Sequence, residues 1–292
     1  MAEVLDKKKI LKVYRDVQRH LAIAQLIRRF STNKADIRKT ALKQADLSNC
    51  KNVLELGCAF GAFTEALKEK LHPKAKITGI DIIPEYKPFF LEACRRAGYS
   101  GIFSSSGIDK IKKYPANSYD LVICSYALYF FPNMIPEISR ILNKDGLFIT
   151  ITHSQADMRE IVGIVKKILK QNNSLDDKQS LPIEIIFDQF SAENGKALLH
   201  PFFSRIQEID FKNTLVFQPQ EVDHFLDYFQ FKKSFFLSGA DAHNNTIINK
   251  LMSELHDSAM KNNLVTMCKD DKIFICSHPV EPPSTGARVS LE

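Results

Sequence analysis

A glycine-rich segment, and an acidic residue twenty positions beyond it, are the residues best suited to chemistry in this sequence. The segment from residue 53 to 64 reads VLELGCAFGAFT, which predicts a buried strand, a turn and a helix. Gly57 and Gly61 let the backbone approach a ligand closely, and free amides at the helix start favour a carboxylate or phosphate. Asp81 ends the next predicted strand, where a carboxylate can accept hydrogen bonds from both ribose hydroxyls. Together these residues predict a site for an adenosine-containing cofactor.

The spacing of the small residues distinguishes between cofactors. A dinucleotide site has the pattern G-x-G-x-x-G, whereas residues 57, 59 and 61 form G-x-A-x-G here, with Glu55 two positions earlier. This pattern resembles the class I S-adenosylmethionine (SAM)-dependent methyltransferases, and Gly79–Asp81, Tyr119–Ile123 and Ile138–Ile149 match the same family in order. The resemblance implies an α/β fold with a Rossmann-like, doubly wound seven-stranded sheet. The sheet would be mostly parallel with its last strand antiparallel, and N-terminal helices and an inserted helical cap would accompany it.

The resemblance also implies which residues bind SAM. They are Glu55, Gly57, Cys58, Ala59, Gly61, Asp81, Ile82, Ser106, Ile108 and Ser125. Glu55 and the glycine-rich turn would hold the methionine part, Asp81 the ribose, and Ile82 would pack on adenine. Ser106 or Ile108 would lie near the adenine edge.

The sequence departs from the family pattern at two places. Ala59 replaces the usual middle glycine, and its methyl group is compatible with the turn if φ stays negative. Ser104-Ser105-Ser106 stands where the family commonly has an acidic residue after the third strand. By the resemblance, the first departure narrows the approach to the cofactor, and the second leaves adenine without the usual acidic partner.

Methyl transfer from a sulfonium is an in-line displacement that positioning alone can accelerate strongly, so a dedicated base is not required. For a hydroxyl or thiol acceptor, His153 after the fifth predicted strand is the candidate base, with a solvated loop histidine as the alternative. Tyr126 and Tyr129 could steer the acceptor or only pack, and Tyr14 could close the site from the N-terminal helix. By the resemblance, Ser125 would border the sulfonium.

Alternating strand-like and helix-like segments position these residues and predict a parallel sheet. One amphipathic helix is expected through Ile10–Ile27 and another helix over Ala62–Leu71. Phe203–Phe217 reads as one long strand, and Val265–Ser277 as a hairpin or bent strand. The predicted domains are a helical lid (1–45), a SAM-binding core (46–155), the remaining sheet (156–280) with a cap (219–263), and a flexible tail (281–292) of the kind that cloning adds.

The composition is that of an ordinary globular protein, with 45% hydrophobic and 25% charged residues. The net charge of +6 comes from residues 1–45, which hold 12 basic and 4 acidic residues. This excess predicts either a solvated helix face or a contact with RNA or an anionic surface. Residues 187–236 hold 11 of the 21 phenylalanines, which could form core or line a cap over an apolar substrate.

Six cysteines without a C-x-x-C pair favour free thiols in a reducing cytoplasm. No metal-ligand set and no apolar stretch long enough to span a membrane is present. The first hypothesis is a methyltransferase acting on oxygen, nitrogen or carbon of a small molecule. An RNA methyltransferase is the second, although the Lys-Asp-Lys-Glu set of ribose methyltransferases is missing, so nucleic acid is a disfavoured partner. A non-catalytic SAM-binding protein is the third, and the oligomeric state stays open.

Overall fold

The structure, a computed structural model, describes residues 7–176, 178–237, 241, 244–261 and 264–280. The tail predicted over 281–292 lies outside the described residues. The strands are β1 Asn52–Leu56, β2 Lys76–Ile80, β3 Ser100–Ser104, β4 Tyr119–Ser125, β5 Leu142–His153, β6 Phe203–Phe211, β7 Thr214–Phe217, β8 Val265–Cys268 and β9 Asp271–Pro279. The helices are α1 Lys7–Tyr14, α2 Val17–Phe30, α3 Ile37–Leu42, α4 Ala62–Ala66, α5 Lys87–Ala97, α6 Ile135–Ile141, α7 Arg159–Gln171, α8 Pro182–Gln189, α9 Gly195–Leu199, α10 Val222–Phe236 and α11 Asn245–Lys261.

Seven strands form one sheet in the order β3-β2-β1-β4-β5-β9-β6. The pairs β1–β2, β1–β4, β2–β3 and β4–β5 are parallel, with Leu56 opposite both Ile80 and Cys124. The central strands consist of apolar runs that are buried along most of their length, as expected for a sheet covered on both faces. The predicted doubly wound α/β fold is confirmed.

The predicted antiparallel last strand is also confirmed. The amide of Val280 donates to the Phe202 carbonyl at 2.9 Å, and the Ser204 hydroxyl lies 3.4 Å from the His278 carbonyl. Residue numbers therefore rise along β6 as they fall along β9, which is the pattern of an antiparallel pair.

The predicted long strand from Phe203 to Phe217 is wrong, because it divides into β6 and β7. Asn213 separates them, with its amide donating to Asp270 at 2.9 Å and its side chain donating to Ser31 at 2.9 Å. β7 then pairs with β8 in a separate two-stranded antiparallel sheet. Of the two expectations for Val265–Ser277, the hairpin is wrong, since β8 and β9 belong to different sheets. The segment instead resembles a strand interrupted between Cys268 and Asp271.

The single N-terminal helix predicted through Ile10–Ile27 is two helices. Asp16 has an extended backbone between them, and its carboxylate accepts the Arg19 amide at 3.0 Å. This N-cap begins α2 and explains the break. The helix predicted over Ala62–Leu71 is also shorter, since α4 ends at Ala66 and Glu69 adopts a left-handed backbone with φ of 61°.

The chain forms two compact units that alternate along the sequence. The stretches up to Thr40, Thr152–Glu193 and Asp210–Lys272 make the first, here called the cap unit. The stretches Ala41–Ile151, Asn194–Ile209 and from Ile273 onward make the second, here called the core unit. The N-terminal helices thus cluster with α10 and α11, although they are far apart in the sequence. Within the described residues, no helix is both long enough and apolar enough to cross a membrane.

Candidate active site

The glycine-rich turn after β1 has a left-handed backbone at three positions. Gly57 has φ of 65°, Ala59 of 43° and Gly61 of 78°. The Gly57 amide donates to the Ile80 carbonyl at 2.8 Å, which fixes the turn to the end of β2. This hydrogen bond places the turn at the carboxyl edge of the sheet.

Gly57 and Gly61 are required by the protein's own packing. A Cβ atom on Gly57 would lie 2.6 Å from the Cβ of Ala127, and one on Gly61 would lie 2.6 Å from the Cβ of Ala93. The space that the missing side chains leave is therefore filled by neighbouring elements of the core unit. The two glycines allow the left-handed backbone of the turn and the close approach of Ala127 and Ala93. The expectation that a ligand approaches the backbone of this turn stays a prediction.

Ala59 does not have the negative φ that would make its methyl group compatible with the turn. Its φ of 43° lies in the left-handed region, where an L-residue other than glycine is strained by about 1–2 kcal/mol. The Ala59 amide donates to Oδ2 of Asp81 at 2.9 Å. This bond offsets part of the strain and holds the turn against β2.

Asp81 follows β2 and joins two segments of the site. Besides the Ala59 amide, it accepts the Ile83 amide on Oδ1 at 3.0 Å. Burial raises the pKa of Asp81 to about 6, although the amides of Ala59, Ile83 and Ile82 favour the charged form. Because a carboxylate has about four lone-pair positions, each oxygen can still accept a hydroxyl.

Glu55 lies on β1 with only 3% of its surface exposed and accepts the Thr64 hydroxyl of α4. Burial raises the pKa of the Cys58 thiol, and the negative charges of Asp81 and Glu55 raise it further. The turn therefore lies between two carboxylates. A ligand that carries positive charge suits this negative end of the site.

The turn after β3 contains a lysine that the sequence analysis missed. Lys110 donates through Nζ to Oγ of Ser104 at 3.0 Å, and Ser104 Oγ lies 3.2 Å from Oγ of Ser106. Ser104 is buried, Ser106 is exposed and Ile108 is half-buried. The serine run therefore has no acidic residue, and the ammonium of Lys110 lies beside it instead. A cluster of lysines in IDKIKK was the available signal.

The end of β4 carries another strained residue. Ser125 is the last residue of β4 and pairs with Ile151 of β5, and the amide of Tyr126 donates to the Ile151 carbonyl at 2.9 Å. Tyr126 has φ of 56°, which is uncommon for a bulky residue. Tyr129 is 4% exposed and packs edge-on against Phe130.

The candidate base His153 is part of a buried charged cluster in the cap unit. Its Nδ1 lies 2.7 Å from Oδ1 of Asp271 and 3.1 Å from Nζ of Lys269. Lys269 also donates to both carboxylate oxygens of Asp157, at 3.0 and 3.2 Å. Each of the four residues is at most 8% exposed. The alternative of a solvated loop histidine is therefore wrong.

Electrostatic attraction stabilises this cluster against the cost of burial. Burial lowers the pKa of Lys269, but the negative charges of Asp157 and Asp271 outweigh it and raise the pKa overall. The partners of His153 were missed by sequence reasoning. The one available signal was the acidic pair at 270–271 within an apolar stretch.

Tyr14 packs within the cap unit. Its hydroxyl accepts a hydrogen bond from Lys232 Nζ at 2.8 Å, and that ammonium lies 5.3–5.8 Å from the ring centroids of Tyr14, Phe231 and Phe235. Burial, followed by the charge of Lys232, lowers the pKa of the neighbouring His20 to about 3. These contacts fasten α1 to α10.

Most phenylalanines of residues 187–236 form core. Ten of these eleven side chains are buried, and rings such as Phe217 and Phe225 pack 5.7 Å apart between centroids. Core packing is therefore the role that the structure supports for this aromatic-rich stretch. No cluster of three or more His, Cys, Asp or Glu side chains suited to a metal ion occurs among the residues that the structure covers.

The strand order reverses between β1 and β4, which is where doubly wound sheets bind ligands. The glycine-rich turn and Tyr126 follow these two strands, and Asp81 follows the neighbouring β2. This arrangement is consistent with a class I SAM-dependent methyltransferase. A family profile described as a methyltransferase domain matches residues 47–230, and the chain belongs to that family.

Two curated relatives are similar over part of their length. An uncharacterised methyltransferase of Schizosaccharomyces pombe is 25% identical over 139 residues, which cover 45% of this chain and 51% of the relative. The uncharacterised methyltransferase YcgJ of Bacillus subtilis is 24% identical over 119 residues, covering 38% and 44%. The chain therefore spans about half the length of the curated relatives it matches.

Solved structures of similar proteins were also found. The crystal structure of YcgJ superposes with a TM-score of 0.49 at 16% identity, covering 82% of this chain and 97% of YcgJ. A putative methyltransferase of Bacillus halodurans superposes with a TM-score of 0.49 at 12% identity, covering 83% and 99%.

Proposed function

We propose that this protein transfers a methyl group from SAM to an oxygen, nitrogen or carbon atom of a small molecule. The observation that carries the proposal is the pair of strained turns after β1 and β4, at the point where the strand order reverses. Ala59 and Tyr126 both adopt left-handed backbones there. Such strain persists where surrounding structure enforces it, and it is frequent at ligand sites.

The residues around the turn suit SAM in charge and hydrogen bonding. Asp81 can accept the ribose hydroxyls, Glu55 and the amides of the turn can hold the methionine part, and Ile82 can pack on adenine. SAM supplies a methyl group on a positively charged sulfonium, and the carboxylates of Glu55 and Asp81 provide the complementary charge.

The chain's own residues would orient the acceptor and receive its proton. Ser125 and Tyr126 follow β4, where an acceptor could approach the methyl group in line with the departing sulfur. His153 remains the candidate for removing a proton from a hydroxyl or thiol. Its Nδ1 lies 2.7 Å from Oδ1 of Asp271, a contact that would orient the ring. An amine acceptor that reacts as the free base would not need this step.

The cellular setting is part of the same proposal. All six cysteines are buried free thiols, which supports a reducing compartment such as the cytoplasm. Small-molecule acceptors remain favoured over RNA because the basic residues of the N-terminal segment include partnered ones. For example, Arg29 pairs with Glu221 at 3.3 Å and Lys34 donates to a backbone carbonyl at 3.0 Å.

Calorimetric titration with SAM and S-adenosylhomocysteine (SAH), at two salt concentrations, is the first test. Salt-insensitive binding in the micromolar range is expected, and absence of binding to both compounds would refute the proposal. The second test incubates the protein with methyl-tritiated SAM and either a low-molecular-weight metabolite fraction or total RNA. Label in the small-molecule fraction is expected. Label in RNA would identify an RNA methyltransferase. Binding of SAM without any transfer would identify a non-catalytic SAM-binding protein.

A further inference from the structure

The turn after β3 holds a charged group beside the predicted nucleoside site. The Ser104 carbonyl accepts the Asp81 amide at 3.1 Å, which fixes the end of β3 next to the residue proposed to bind ribose. A Cβ atom on Gly107 would lie 3.7 Å from Cγ2 of Ile82, the residue proposed to pack on adenine. The turn that carries Lys110 is therefore adjacent to the expected position of the purine.

The charged group of this turn that faces Ser104 is the ammonium of Lys110, a hydrogen-bond donor. Lys110 uses one N–H on Ser104 Oγ, and no carboxylate pairs with its ammonium in the part of the chain that the structure describes. An ammonium has three donors and no acceptor. The nearby Asp109 instead pairs with Lys112 at 2.7 Å. The turn thus offers a purine a cation in place of a carboxylate.

We propose that Lys110 binds the purine edge of the cofactor and that the site consequently discriminates little between a 6-amino and a 6-oxo purine. This inference rests on the proposed SAM site. Adenine presents its 6-amino donor beside the acceptor N1, whereas hypoxanthine presents the acceptor O6 beside N1–H. A lysine ammonium on a flexible stem can reach either acceptor, since N1 and O6 are neighbours. A carboxylate at the same place would instead accept from the 6-amino group of adenine or from N1–H of hypoxanthine.

The test compares the binding of SAH and S-inosylhomocysteine, which differ only in the purine, by calorimetry. The wild-type dissociation constants are expected to agree within about fivefold, the effect of roughly one ordinary hydrogen bond. Lys110→Met should weaken both ligands about tenfold, because it removes a charge-assisted bond.

Lys112→Met is the matched control, since this lysine lies on the same 3-10 turn and its exposed pair with Asp109 contributes little. It should leave both dissociation constants unchanged. Wild-type discrimination of about fiftyfold or more in favour of SAH, far beyond one ordinary hydrogen bond, would overturn the proposal. So would Lys110→Met binding SAH as tightly as the wild type. If the wild type bound neither ligand, the proposed function itself would fail; failure at Lys110 alone would leave it intact.

Discussion

Acidification should weaken cofactor binding through Asp81. Burial raises the pKa of this carboxyl to about 6 in the ligand-free protein, so the site gains a proton as the pH falls through that value. A protonated carboxyl loses acceptor capacity and charge, both of which the ribose hydroxyls require. SAH must therefore bind with release of this proton, and its affinity should be highest above pH 6 and lost below it.

The size of the effect follows from the pKa. If only the ionised carboxylate binds, the dissociation constant rises about tenfold for each pH unit below 6. At pH 5 about one molecule in eleven carries the ionised form when the pKa is about 6. Titrations with SAH between pH 4.8 and 7.2 should therefore show a plateau above pH 6 and a slope of one below it. Buffers of different ionisation enthalpy should report release of about half a proton per SAH bound at pH 6.

Asp81→Asn is the control, because a carboxamide does not ionise in this range. It should bind more weakly than the wild type, with a dissociation constant that is flat across the pH series. Circular dichroism at each pH would show that the fold persists. A wild-type affinity that stays constant from pH 7 to pH 5, or an equal slope in Asp81→Asn, would refute the assignment of Asp81 to the ribose.

Three further predictions concern stability, measured by urea or thermal unfolding. Ala59→Gly should stabilise the protein by up to about 1 kcal/mol, since it removes the strain of a left-handed alanine; a loss of stability would contradict that reading. Gly61→Ala should lower the free energy of unfolding by about 2 kcal/mol or more, because the new Cβ would lie 2.6 Å from Ala93 of α5. Gly98→Ala is the comparison: its φ is 87° but the space around it is open, so it should lower the free energy of unfolding by only about 1 kcal/mol. Lys269→Met should cost about 3–5 kcal/mol because it leaves buried carboxylates uncompensated, and a change under about 1 kcal/mol would show that the cluster is not held by this cation.

The parallel part of the sheet was predictable because its signals are local. Apolar runs such as those around Val122 and Phe148 mark buried strands regardless of what lies elsewhere. The later strands were less predictable, since Phe203–Phe217 has continuous strand character. Only Asn213, through bonds to Asp270 and Ser31, ends one strand and begins the other. Those partners are distant in sequence and leave no local pattern.

The same distinction applies to the site. The spacing of Gly57, Gly61 and Asp81 indicated a nucleoside cofactor because turns and strand ends have characteristic residues at short separations. The reason for the glycines was not local, since Ala127 and Ala93 approach them from other elements. Sequence patterns show where glycine stands, but packing decides what fills the space beside it.

The sequence by itself indicated the fold class and, through its resemblance to known methyltransferases, the family. It also predicted the positions of the principal cofactor residues from short-range features, namely turn residues and an acidic strand end. Only the tertiary structure decided that Ala59 adopts a left-handed backbone, that Lys110 reaches Ser104, and that His153 is enclosed by Asp271, Lys269 and Asp157. These features depend on which side chains meet after folding, and burial then sets their charges and pKa values. The cluster around His153 joins residues up to 118 positions apart, so no local pattern could contain it.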